Sequence, residues 1–99
     1  MKINHNREAE KLTVAIEGRL DTTTAPELEK ALGTLLEGVT DLVLDMTNLE
    51  YVSSAGLRVI LKAQKAMFRS GKMKLIGVNE SIMEVFEITG FSDILEIEQ

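Results

Sequence analysis

The sequence contains no cysteine and no tryptophan, and it has one proline and one histidine. Without cysteine, disulfide bonds and thiolate metal sites are excluded. A single histidine, His5, leaves too little for a metal cluster or for a Ser-His-Asp triad, so we expect no metal and no cofactor. Aromatic residues make up 4% of the chain and hydrophobic residues 44%. The core must therefore be aliphatic.

Excess positive charge and long apolar runs are also missing. The formal net charge is -5, whereas nucleic acids and anionic membranes attract basic surfaces. We therefore expect neither nucleic acid nor membrane as a partner. No apolar run approaches the roughly 20 residues that cross a bilayer. No apolar run follows a basic start either, so we expect no secretory signal and a cytoplasmic location.

The length of 99 residues predicts one domain covering positions 1–99. Alternating β-formers predict a strand over 12–16, and a short, nearly continuous apolar run predicts a strand over 41–46 that is covered on both faces. A weaker pairing segment is expected at 1–4, and further strands at 73–78 and 94–97. A polar turn is expected at 47–50. Three helices fall between the strands. The order β, β, α, β, α, β, α, β predicts an α/β domain, with a mixed sheet of four to five strands and helices packed on it.

The helix boundaries and inward faces can also be predicted. Thr24 with Glu27, and Ser81 with Glu84, match the capping-box pattern at the starts of the first and third helices. The second helix is expected to open at Ser54. Its inward face is predicted to consist of Leu57, Ile60, Leu61, Ala63, Met67 and Phe68.

The turn at 53–56 is the main candidate for a functional site. In an open α/β sheet, the working surface lies outside the carboxyl ends of the strands, where Ser54 is expected. A helix N-terminus there would tolerate a phosphate, which adds about -1.5 to -2 charges. The alternative is that Ser54 is an N-cap, a role worth roughly 1 kcal/mol. A capping hydroxyl can still be phosphorylated, so both interpretations stay open.

Three segments resemble STAS domains of anti-sigma factor antagonists. Residues 49–61 (LEYVSSAGLRVIL) are similar to the signature segment of that family. Residues 18–21 (GRLD) are similar to a second family segment, and residues 89–91 (TGF) to the late helix-to-strand turn. Together they cover the chain in the expected order, so the resemblance implies a single STAS domain.

The resemblance implies a regulatory function without catalysis. Such proteins bind an anti-sigma factor that is also a serine kinase, and this binding frees a sigma factor. The kinase then phosphorylates the serine that matches Ser54, and a metal-dependent serine phosphatase reverses the modification. This chain would be the substrate of both enzymes. We expect the free protein to be a monomer.

The resemblance also implies a partner-binding surface made of Asp21, Thr22, Thr23, Ser53, Ser54, Ala55, Gly56, Leu57 and Arg58. Many relatives carry aspartate where this chain has Ser53. Ser54 remains the preferred acceptor because Gly56 follows it at the family's spacing. Arg58 is expected to clamp the phosphate or a partner carboxylate, or to be simply solvated. Asp21 either orients the acceptor hydroxyl or serves as an ordinary turn residue.

Two further interpretations compete with this one. In the first, the chain has the same fold but is a soluble accessory subunit that docks on a membrane lipid transporter. An esterase with Ser54 as nucleophile would need the pattern Gly-x-Ser-x-Gly, but Val52 occupies the first glycine position. A basic stripe on the second helix either is a solvated face or attracts an acidic partner surface. That stripe consists of Arg58, Lys62, Lys65 and Arg69.

Overall fold

Six β-strands and three α-helices form the chain in a computed structural model that describes residues 1–98. The strands are β1 (Lys2–Glu8), β2 (Lys11–Leu20), β3 (Asp41–Asp45), β4 (Leu49–Val52), β5 (Lys72–Ile76) and β6 (Glu96–Glu98). The helices are α1 (Ala25–Leu35), α2 (Ser54–Ser70) and α3 (Glu80–Thr89), and a 3-10 turn at Phe91–Asp93 precedes β6.

The sheet is mixed, as predicted, with strand order β1-β2-β3-β5-β6 and β4 paired to β2. Strands β1 and β2 are antiparallel, and the other pairings are parallel. The sheet has six strands, one more than the four to five predicted, because β4 lies partly where a polar turn was expected. This four-residue strand is too short for a clear alternation, and it is fixed by pairing with the far end of β2.

All three helices cover the same face of the sheet. The crossovers through α1, α2 and α3 each run toward the β6 edge, and right-handed crossovers in one direction place their helices on one side. The burial pattern of β2 agrees with this arrangement. Leu12, Val14 and Ile16 are fully buried, whereas the alternating residues Thr13 and Ala15 are only half-buried.

The core between sheet and helices is aliphatic, as the composition predicts. Phe86 is the one aromatic residue among the buried hydrophobic residues described, and none of the buried residues is polar or charged. The predicted inward position of Phe68 was wrong, since this residue is 83% exposed. Neighbouring helical residues point about 100° apart, and Met67 takes the inward direction. Val59 is buried instead, on the other flank of the helix.

The first turn of α2 packs directly on the end of β2 because residue 56 is glycine. A Cβ atom at Gly56 would lie 2.7 Å from Cγ of Leu20 and 3.0 Å from both Cδ2 and the carbonyl oxygen of Leu20. Only a residue without a side chain permits this approach. The contact fixes where α2 begins relative to the sheet.

Gly56→Ala should therefore destabilise the fold. The added methyl group would push against Leu20, and overpacking of this kind costs roughly 1–3 kcal/mol of unfolding free energy. Gly33→Ala in α1 is the matched control, because a Cβ atom there meets nothing within 4 Å. That control should gain up to about 1 kcal/mol from helix propensity. Urea unfolding measures both, and equal effects of the two substitutions would contradict the packing argument.

Candidate functional site

The candidate site forms where β2 and β4 end side by side. Leu20 pairs with Val52 in parallel register, and the backbone N–H of Ser53 donates to the carbonyl oxygen of Leu20 at 2.8 Å. The turn at 21–24 therefore lies beside the junction between β4 and α2. This is the carboxyl edge of two parallel strands, where the sequence predicted the working surface.

Ser53, rather than Ser54, is the N-cap of α2. Its backbone is extended (φ -90°, ψ 175°), and its Oγ accepts a hydrogen bond from the N–H of Gly56 at 3.3 Å. The N–H of Leu57 donates to the carbonyl oxygen of Ser53 at 2.9 Å and begins the helical hydrogen bonds. The interpretation of Ser54 as the cap was therefore wrong by one residue.

Ser54 is exposed and is the first residue of α2. Within residues 1–98, neither its hydroxyl nor the N–H groups of Ser54 and Ala55 have a hydrogen-bond partner. The first turn of α2 contains no acidic residue. The hydroxyl thus stands at the positive end of a 17-residue helix, where negative charge is stabilised.

Asp21 organises the neighbouring turn. Its Oδ1 accepts from the N–H groups of Thr23 at 3.0 Å and Thr24 at 3.1 Å. The Thr24 hydroxyl accepts from the N–H of Asp21 and donates to the carbonyl oxygen of Arg19, both at 2.8 Å. Thr24 therefore makes no side-chain cap for α1, so the capping box predicted with Glu27 was wrong.

The same contacts lower the pKa of the Asp21 carboxyl. The N–H of Thr24 is the largest cause, and partial burial opposes it. The Thr24 hydroxyl, the N–H of Thr23 and the Arg19 guanidinium add to the lowering. Asp21 is consequently a fixed negative charge beside Ser53 and Ser54 at neutral pH.

Arg19 and Tyr51 form a stacked pair that sequence reasoning missed. The two residues are register partners on β2 and β4, and the guanidinium lies 4.2 Å from the centroid of the Tyr51 ring. The Arg19 Nε is 3.8 Å from Oδ2 of Asp21. Tyr51 remains 40% exposed. The pair adds an ordered cation and an aromatic surface beside the serines.

The remaining predicted partner-binding residues differ in accessibility. Thr22, Thr23 and Arg58 are exposed, and Arg58 lies one helical turn after Ser54. Ala55 is half-buried, whereas Gly56 and Leu57 are buried in the packing beneath the turn. A role for Gly56 and Leu57 in partner binding stays a prediction. Their observed contacts hold the turn in position.

Asn79 ties α3 to the same region. Its Oδ1 accepts from the N–H of Ile82 at 2.8 Å, and its Nδ2 donates to the carbonyl oxygen of Leu49 at 3.0 Å. Asn79 is therefore the N-cap of α3, and the predicted capping box of Ser81 and Glu84 was wrong. This bridge holds β4 against the start of α3.

Three other kinds of feature were compared with this turn: grooves, clusters of metal-ligating side chains and apolar helices. A groove of about 440 Å³ lies between α1 and α2 and is lined by residues such as Leu32, Gly33 and Ala63. It does not include Ser54. Residues 1–98 contain no group of three His, Cys, Asp or Glu side chains that could hold a metal ion. In the same range, no helix has the length and apolar character needed to cross a bilayer.

Comparison with known sequences gives one family. The profile of the STAS domain matches residues 1–99. A relative from Listeria monocytogenes serovar 1/2a, named anti-sigma-B factor antagonist, is 35% identical over 94 residues, with 92% of this chain and 82% of the relative covered.

Solved structures give the same fold. An anti-sigma factor antagonist from Mycobacterium paratuberculosis has a TM-score of 0.88 at 20% identity, with 97% of this chain and 83% of that chain covered. The unphosphorylated form of the anti-sigma factor antagonist SpoIIAA has a TM-score of 0.78 at 16% identity, with 99% of this chain and 88% of that chain covered. The phosphorylated form of SpoIIAA, from Bacillus, has a TM-score of 0.76 at 16% identity, with 99% and 92% covered.

The different roles of the two serines predict different effects on stability. Ser53→Ala removes the cap of α2 and should lower the free energy of unfolding by about 1 kcal/mol. Ser54→Ala removes an exposed hydroxyl without a partner in the described chain and should stay within about 0.5 kcal/mol of the original protein. Urea unfolding of both variants tests this difference. The reverse order would show that Ser54 is the cap.

The lowered pKa of Asp21 predicts a pH-dependent contribution to stability. The charged carboxylate stabilises the folded state above the pKa of the unfolded chain, and this stabilisation disappears as pH falls through the lower folded pKa. NMR titration of the Asp21 carboxyl should therefore give a pKa below its ordinary value. The stability difference between the original protein and Asp21→Asn should shrink between neutral pH and strongly acidic pH. A constant difference would indicate that the charge does not contribute.

Proposed function

Because this chain belongs to the STAS domain family, we propose that it is an anti-sigma factor antagonist. Its unmodified form binds an anti-sigma factor and thereby releases a sigma factor. The Listeria relative named anti-sigma-B factor antagonist supports this proposal, since it matches most of the length of both chains. The docking surface is formed by the turn at 21–24 and the junction at 53–58.

The observation that carries the proposal is the free hydroxyl of Ser54. Ser53 supplies the cap, so modification of Ser54 leaves the hydrogen bond to Gly56 in place. Ser54 is exposed, and so a kinase can reach it. We infer that Ser54 is the phosphorylated residue and that the partner is an anti-sigma factor with serine kinase activity.

A phosphate on Ser54 would change the docking surface more than the fold. It adds about -1.5 to -2 charges next to the fixed carboxylate of Asp21. The helix N-terminus stabilises this charge, and Arg58 on the next turn is placed to pair with it. The core contacts beneath the turn are apolar and stay intact. A partner that binds the uncharged turn would be displaced, and a serine phosphatase would restore binding.

Within residues 1–98, no histidine is placed to activate the Ser54 hydroxyl for catalysis. His5 is the single histidine, and it pairs with Val14 on β2. Val14 precedes Leu20 by roughly 20 Å of extended strand, so His5 is not placed to act as a base for Ser54. The chain serves as substrate and binding partner. The alternative of an accessory subunit of a lipid transporter stays a prediction.

Phosphorylation by the cognate anti-sigma factor kinase tests the proposal. With ATP and magnesium, the protein should gain one phosphate in intact-mass measurements, and Ser54→Ala should gain none while still binding the kinase. Ser53→Ala is the matched control and should still gain one phosphate, because it keeps the Ser54 hydroxyl. Full phosphorylation of Ser54→Ala would show that another residue is the acceptor.

The same complex tests whether charge is the switch. Ser54→Asp should weaken binding by about tenfold, equivalent to about 1.4 kcal/mol. Ser54→Asn has a similar shape without the charge and should bind more tightly than Ser54→Asp. Calorimetry measures both affinities. If Asn and Asp weaken binding equally, shape rather than charge controls the partner.

A further inference from the structure

Two outward helix faces carry opposite charges. On α2, the basic stripe that begins at Arg58 continues through Lys62, Lys65 and Arg69, and all four side chains are exposed. On α3, Glu80, Glu84 and Glu87 are exposed and form an acidic stripe. Spacings of three and four residues align each set along its helix. Both helices cover the same face of the sheet, so the two stripes belong to one side of the molecule.

Most of these charges have no partner within the chain. Lys62 pairs with Glu29 at 3.0 Å. Among residues 1–98, no other member of either stripe makes an ion pair. The charges are therefore available to a docking molecule.

Exposed apolar side chains accompany both stripes. Phe68, next to Arg69, is 83% exposed, and Ile88, next to Glu87, is 86% exposed. Gln64 lies one turn before Phe68 on the same flank of α2, and its Nε2 donates to the carbonyl oxygen of Ile94 at 3.4 Å. The flank that carries Phe68 is therefore directed toward the segment after α3. Ile94 is itself 52% exposed. The exposed side chains of Phe68 and Ile94 thus lie on the flank of the basic stripe that is directed toward α3 and the segment after it.

We propose that this α2–α3 face, consisting of the two stripes with Phe68 and Ile88, binds a second copy of the chain. A two-fold axis parallel to the helices places α2 of one protomer on α3 of its partner, so that each basic stripe meets an acidic stripe. An axis perpendicular to the helices would place α2 on α2 and bring like charges together. Charge complementarity therefore selects one orientation.

The complementary surface on the same chain is the reason to assign a second copy as the occupant. The net charge of -5 opposes random contact between two copies, and so only a matched orientation is favourable. Exposed ion pairs contribute about 0.2–1 kcal/mol each, which predicts a weak dimer. The protein would then be the expected monomer at low concentration and a dimer at high concentration.

Charge reversal with sedimentation equilibrium tests this proposal. The original protein should approach the dimer mass as concentration rises, and added salt should shift it toward monomer. Lys65→Glu with Arg69→Glu, and separately Glu84→Lys with Glu87→Lys, should each weaken association by about tenfold or more. An equimolar mixture of these two double variants should associate again, because both contacts of the mixed dimer pair opposite charges.

The matched control is Lys2→Glu with Lys11→Glu on β1 and β2, which makes the same change in net charge away from the α2–α3 face. It should associate like the original protein. Phe68→Ser should weaken association without charge reversal. A protein that stays monomeric up to millimolar concentration overturns the proposal. An equal loss in the control, or no recovery in the mixture, overturns it as well.

Discussion

The placement of the site depends on the contact between the end of β2 and the start of α2. Gly56 lies against Leu20 without space for a Cβ atom, and the N–H of Ser53 donates to the carbonyl oxygen of Leu20. These contacts hold Ser53 and Ser54 beside the turn that Asp21 organises. The core below is apolar, so buried side chains support the turn from beneath. A surface supported in this way loses little conformational entropy when it binds a partner.

The division of roles between the two serines separates stability from regulation. Ser53 satisfies a backbone donor of α2, and Ser54 has no structural partner in the described chain. A side chain without a structural task can accept a charged group at little cost to the fold. In the proposed function, the added charge acts on the partner through repulsion and desolvation. Asp21 already supplies one fixed negative charge there, which a phosphate would reinforce.

Much of the fold could be predicted from the sequence because it depends on local pattern. The helix and strand periods gave the α/β order, and the lack of aromatics gave the aliphatic core. The errors concern contacts between distant segments. Strand β4 and the pair of Arg19 with Tyr51 depend on the parallel register with β2, which no local pattern encodes. The caps Ser53 and Asn79 were missed by one or two residues, because several neighbouring polar residues match the same capping preference.

Helix α2 contributes to both proposed surfaces, and its length separates most of their charges. Ser54 and Phe68 lie near opposite ends of the helix, roughly 21 Å apart at 1.5 Å per residue. Exposed charges are largely screened beyond about 8 Å at physiological ionic strength. A phosphate on Ser54 therefore affects the turn and Arg58, while Lys65 and Arg69 lie outside its range. Because Lys65 and Arg69 are screened from the phosphate, their contacts with a second copy would persist in the phosphorylated protein, whereas Arg58 at the start of the basic stripe would respond to it.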